Sequence, residues 1–265
     1  MMRDPDLVDK LTPHESIIQL EGVTVSFDGF KALNDLTFFI EVGELRVVIV
    51  PNGAGKTTLI DVISGKVKPT LGRVVFAHDT DLERFTDYQI SNMGIGRKFQ
   101  TPTTFEKHTV RENLELSLKG DRGIWATLFS KLGPQDREKI DATLERVGLK
   151  DRAAWKAGLL SHGQKQWLEI GMLMMQDPRL LLLDEPVAGM SDEETAKTGE
   201  LILSIAKDRS VMVVEHDMEF VRGLNAKVSV LHEGHILCEG SMDKVQNDPR
   251  VIEVYLGRDS AKGHA

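Results

Sequence analysis

The segment that most restricts the fold is Leu45–Thr58, which reads LRVVIVPNGAGKTT. Leu45–Val50 is apolar and β-branched enough to form a strand covered on both faces, because a sheet face open to water would demand alternation with polar residues. Closely spaced glycines then break the run, and Thr57–Ser64 has the pattern of a helix that ends at Gly65. A buried strand, a glycine-rich turn and a helix in direct succession commit the chain to an α/β architecture with a parallel sheet.

The same turn carries chemistry. Pro51-Asn52-Gly53-Ala54-Gly55-Lys56-Thr57-Thr58 has the composition and context of a phosphate-binding loop, in which backbone N–H groups point inward and glycines permit close approach. Lys56 would reach the β- and γ-phosphates, the Thr57 hydroxyl would bind Mg²⁺, and the following helix would add its positive dipole end. The alternative is a strand-to-helix turn that binds nothing, and the flanking pattern argues against it. Val50 stands where the G-x-x-x-x-G-K-[ST] spacing expects glycine. If that position needs positive φ, a branched residue is strained there and the cradle is weakened; if φ is negative, Val50 merely extends the strand.

A second signal is Leu180-Leu181-Leu182-Leu183-Asp184-Glu185-Pro186. An apolar strand that ends in two acids delivers them to the C-terminal edge of the sheet, where α/β proteins bind ligands. Asp184 would hold Mg²⁺, directly or through water, and Glu185 would polarise an attacking water. Taken alone, the two acids could equally be a solvated turn.

Other segments fill in the frame. Ile17–Phe27 and Leu36–Ile40 have strand patterns, Val211–Val214 is a short buried run, and Val228–Leu231 with His235–Glu239 suggests a hairpin through Glu233-Gly234. Thr109–Leu118, Gln135–Val147 and Ser161–Met175 read as helices, the first and third opening with capping-box spacings, Thr109/Glu112 and Ser161/Gln164. The formal net charge of −8 over 265 residues argues against a nucleic-acid partner, which requires clustered Lys and Arg. The single cysteine, Cys238, excludes an internal disulfide and reads as a small buried residue. No run of about 20 apolar residues suggests a membrane span, and the acidic N-terminus does not resemble a secretory signal.

Leu160-Ser161-His162-Gly163-Gln164 opens a helix upstream of Asp184. It satisfies simple capping, and a helix N-terminus is also an anion site. Here the chain resembles the ATP-binding-cassette (ABC) family, whose signature is L-S-G-G-Q, over about Ile17 to Gly257 with the motifs in family order. The resemblance implies ATP as ligand, a P-loop NTPase core with a parallel sheet, an antiparallel β subdomain and a helical signature subdomain. It implies one ABC ATPase domain over 16–257, with the helical region at about 101–160 and polar tails at 1–15 and 258–265. It also implies that Phe27 stacks on adenine, that Gln100 senses Mg²⁺ and the lytic water, and that Ala188–Asp192 forms the D-loop. His216 would contact the γ-phosphate. Singly, Phe27 could be a core aromatic, Gln100 a loop residue and His216 a strand-end histidine.

By the same resemblance, Ser161, Gly163 and Gln164 would face ATP held by a second ABC ATPase subunit, either a copy or a different chain. Transmembrane permease subunits would hold the pair peripherally at the cytoplasmic face of the membrane. His162 stands where most members carry glycine. The stretch from Leu160 to Glu194 and the ending EGSMDKVQNDPRVIEVYLGR are similar to ATPases of urea uptake systems, relatives of the branched-chain amino-acid importers. Urea or a short amide is therefore the expected cargo, with branched-chain amino acids as the alternative. A non-transport ABC ATPase and a nucleotide-binding subunit impaired by Val50 are the other readings.

Overall fold

The computed structural model describes residues 15–51, 55–98, 103–119 and 132–254. Its centre is β3 (Leu45–Ile49), which pairs in parallel with β8 (Ser210–Glu215) on one side and β9 (Lys227–His232) on the other. Beyond β8 lie β7 (Leu180–Asp184) and β6 (Ile95–Lys98), also parallel, and β10 (His235–Gly240) closes the opposite edge antiparallel to β9. The sheet order is β10-β9-β3-β8-β7-β6. The β9–β10 turn falls at Glu233-Gly234, where the sequence spacing puts it.

Alternate residues of this sheet go to two separate cores, which explains the uninterrupted apolar runs. Val47, Ile49, Leu181, Leu183, Val211 and Val213 pack in one cluster with α3 (Val110–Leu116), α4 (Pro134–Arg146), α5 (His162–Met175), α6 (Asp192–Ile205), α7 (Met218–Leu224) and α8 (Met242–Gln246). Val48, Val50, Leu182, Met212 and Val214 pack in the other with α1 (Lys56–Ile63), α2 (Asp87–Asn92) and a second sheet. That sheet is antiparallel, in the order β2-β1-β4-β5, from β1 (Ser16–Phe27), β2 (Phe30–Glu41), β4 (Leu71–Phe76) and β5 (Thr80–Asp81).

Both capping boxes anticipated from spacing are formed: Thr109 with Glu112 at α3, and Ser161 with Gln164 at α5. Each satisfies N–H groups that would otherwise lack partners at a helix start. Cys238 is buried, as expected for a small apolar residue.

No sequence pattern announces β6, whose Lys98 is fully buried and whose Arg97 is paired with Asp61. At Val50 the negative-φ alternative holds. The residue follows β3 directly and is 3% exposed within the second core, so it carries no left-handed backbone strain.

Candidate active site

The C-terminal ends of β3, β7 and β8 meet at one edge of the six-stranded sheet. After β3 the chain passes through buried Pro51 to Gly55, the N-cap of α1, at φ 97°. A Cβ at Gly55 would lie 2.4 Å from the Ala32 carbonyl oxygen, so both conformation and space demand glycine there. This contact seats the start of α1 on β2. Asn52, Gly53 and Ala54 lie outside the described residues, as does Gln100.

Lys56 opens α1 and reaches across to the end of β7. Its ammonium donates to Glu185 Oε1 and lies 3.7 Å from Asp184 Oδ1. Asp184 is 3% exposed, and burial raises its carboxyl above the ordinary value, with Lys56 opposing and Glu185 reinforcing that rise. Its Oδ1 is buried and accepts no hydrogen bond. A buried carboxylate oxygen without a donor is suited to a cation, so the donor set fits Mg²⁺. Among the described residues no three His, Cys, Asp or Glu side chains cluster to hold a metal. An ion at Asp184 would therefore need further oxygens, which Thr57, exposed at the start of α1, and bound phosphates can supply.

Glu185 leaves β7 at φ 44°, a left-handed conformation unfavourable for a side-chain-bearing residue. Its N–H donates to Val214 O at 2.9 Å, which fixes this turn against β8. His216, at the end of β8, places Nδ1 3.4 Å from Glu185 Oε1 and is exposed. Beneath it, Glu215 accepts from the N–H groups of His216 at 3.0 Å and Val187 at 3.3 Å. Burial raises its carboxyl, and these N–H groups oppose the rise. Sequence reasoning passed over Glu215, although an acid ending an apolar run is the same signal that marked Asp184. Lys98 ends β6 on the same edge; burial lowers its ammonium, and Glu169, Asp184, Glu215 and Glu185 favour the charged form.

The remaining predicted residues fall elsewhere. Phe27 is 49% exposed at the tip of the β1–β2 hairpin, paired with Phe30. Thr58 lies in the first turn of α1. Ser161, Gly163 and Gln164 form the N-terminus of α5, where Ser161 Oγ donates to Glu194 Oε1 at 2.8 Å. His162 Nε2 donates to the Ala188 carbonyl at 3.2 Å. The structure thus assembles two clusters: Lys56, Asp184, Glu185 and His216 in one, and the start of α5 with Ala188–Glu194 in the other.

A central parallel strand leading to a glycine-capped helix, whose first lysine meets two strand-end acids, defines a P-loop nucleotide-binding protein. A family model described as "ABC transporter" matches residues 33–188, and the chain belongs to the ABC transporter ATPases. A second model, described as "Branched-chain amino acid ATP-binding cassette transporter", matches residues 235–261.

The chain is 32% identical over 252 residues to the high-affinity branched-chain amino acid transport ATP-binding protein LivG of Escherichia coli, covering 92% of this chain and 98% of that protein. It is 34% identical over 246 residues to a probable branched-chain amino acid transport ATP-binding protein LivG of Archaeoglobus fulgidus, covering 91% and 95%. Among solved structures, an ATP-binding cassette of an ABC transporter in its ADP conformation superimposes with a TM-score of 0.78 at 31% identity, covering 92% of this chain and 99% of that one. A dimeric bacterial ABC transporter cassette matches with a TM-score of 0.72 at 25% identity, covering 85% and 98%.

Proposed function

We propose that this chain hydrolyses ATP to drive an importer, as one of two ABC ATPase subunits docked on transmembrane permease subunits at the cytoplasmic face of the membrane. The observation that carries this reading is the meeting of Lys56, Asp184, Glu185 and His216 at the ends of β3, β7 and β8. The span 16–257 acts as one cassette domain, with 101–160 as its helical subdomain.

Position and charge support the roles of the described residues, and the family likeness supports those of Asn52, Gly53, Ala54 and Gln100. The loop Pro51–Gly55 offers N–H groups to phosphate oxygens, Thr58 lies in the turn below it, and Lys56 bears on the β- and γ-phosphates. Thr57 and Asp184, with Gln100, hold Mg²⁺, which when bound offsets the negative charge that builds on the phosphates. Glu185 would orient and polarise the attacking water, and His216, whose Nδ1 lies 3.4 Å from Glu185 Oε1, would contact the γ-phosphate. Exposed Phe27 offers a flat face to adenine. Ser161, Gly163 and Gln164 complete the site of the opposite subunit, so ATP bridges two chains and its hydrolysis releases them.

The cargo we propose is a branched-chain amino acid, by analogy with the two relatives and with the family model over residues 235–261. The urea or short-amide expectation finds no support among these relatives and keeps only the likeness of Leu160–Glu194 to urea-system ATPases. Uptake of labelled leucine and urea by cells lacking this chain tests both. Lost leucine uptake supports the first cargo, lost urea uptake alone the second, and normal uptake of both contradicts the two.

A further inference from the structure

The start of α5 is already engaged by a carboxylate. Glu194, in the first turn of α6, accepts from Ser161 Oγ at 2.8 Å through Oε1, and through Oε2 from the Ser191 N–H at 3.2 Å. Its carboxyl carbon lies so close to Gly163 that a Cβ there would meet it at 2.6 Å. One anionic group therefore covers the Ser161 hydroxyl and the Gly163 backbone together. These are the two groups that, on the reading above, receive the partner's γ-phosphate. The Ser161 hydroxyl leads the influences that hold Glu194 below the usual carboxylate range, so it stays ionised at neutral pH.

A phosphate and a carboxylate cannot share this helix terminus, because both are anions seeking the same positive dipole end and the same donors. Glu194 also belongs to the capping box of α6, just after the Ala188–Asp192 segment, its backbone N–H donating to Ser191 Oγ at 3.4 Å. Displacing its side chain thus disturbs the turn that joins Glu185 to α6.

We propose that Glu194 is a positioning residue that occupies the signature in the separated subunit and must be displaced by the incoming phosphate of the partner's ATP. The exchange couples arrival of that phosphate at Ser161 to the segment behind Glu185 of the same chain. The inference rests on the shared-site ATPase reading and adds a residue that acts through Ser161 and Ser191.

The substitution that isolates charge is Glu194→Gln, since glutamine at this helix position retains the capping box, as Gln164 does at α5. Dimer formation is followed by sedimentation during MgATP titration of Glu185→Gln and of the double variant Glu185→Gln/Glu194→Gln. ATP affinity is measured separately at protein concentrations too low for dimers. Loss of the competing charge is expected to reduce the ATP concentration at half-dimerisation by about tenfold, with monomer affinity and melting temperature unchanged. An unchanged or higher midpoint in the double variant overturns the role given to Glu194. So does a midpoint that falls only together with a change in monomer affinity. Failure of Glu185→Gln itself to dimerise would instead overturn the self-paired form of the shared-site reading, and this inference with it.

Discussion

Lys56 and Glu185 are bonded to each other: the lysine ammonium donates to the carboxylate while also facing Asp184 at 3.7 Å. His216 Nδ1 approaches the same Glu185 oxygen at 3.4 Å. In this arrangement the cation expected on phosphate is held by the carboxylate expected on water. On the proposed reading, phosphate binding would draw Lys56 away and free Glu185 for its part in the reaction.

Val50→Gly should weaken the fold rather than improve the site. Val50 is buried in the core shared by β3, α1 and the antiparallel sheet, and φ is already negative. Removing its side chain and adding glycine's chain entropy should lower stability by about 1–3 kcal/mol, with no gain in ATP affinity. Chemical denaturation and nucleotide titration read the two effects. Tighter binding with undiminished stability would restore the damaged-cradle view.

Asp184 gives a pH dependence with a definite sign. Burial lifts its carboxyl above the ordinary value of 3.8, so the folded chain binds this proton more tightly than the unfolded chain. Its contribution favours folding below that ordinary value and is lost as pH rises through the folded value. Glu215 is raised in the same direction. Asp184→Asn should thus melt no lower than the parent at neutral pH without ligand, and its stability should fall less as pH rises from about 4. It should also lose the Mg²⁺-dependent part of stabilisation by ATP. Thermal melts across pH, with ATP and with or without Mg²⁺, test this. A large neutral-pH destabilisation would show that Asp184 is needed by the fold itself.

Ser161→Arg should leave ATP binding by the monomer almost unchanged while preventing dimerisation and turnover. Ser161 stands with Glu194 and the α5 N-terminus, whereas Lys56 stands with Asp184 and Glu185. Loss of the cap should lower stability by about 1 kcal/mol. Nucleotide titration below the dimerisation range, followed by ATPase assay, separates these effects. Weakened monomer binding would place Ser161 in the chain's own site.

The parts legible from sequence were those whose chemistry is local. The β3–loop–α1 unit, the leucine run into Asp184, the two capping boxes and the Glu233-Gly234 hairpin each announce themselves within a few residues. β6 was hidden because its polar residues are buried by long-range partners: Arg97 pairs with Asp61, 36 residues away. Glu194 was hidden for a similar reason. Its neighbours Asp192 and Glu193 make it look like one more acid in a helix's first turn, and only the folded chain brings it onto Ser161. Val50 stayed open between two backbone conformations because a motif comparison records which residue is missing and says nothing of the φ adopted by its replacement.

The most direct test of the account is ATP hydrolysis by the purified chain beside its Glu185→Gln variant, with nucleotide binding measured on both in the presence of Mg²⁺. Glutamine keeps the shape of the side chain but cannot take up a proton or polarise water as a carboxylate does. The parent is expected to hydrolyse ATP, and the variant to bind ATP, form an ATP-dependent dimer and turn over at least about 100-fold more slowly. Parent-like turnover in the variant would contradict the role of Glu185. A parent that binds no ATP would contradict the whole reading.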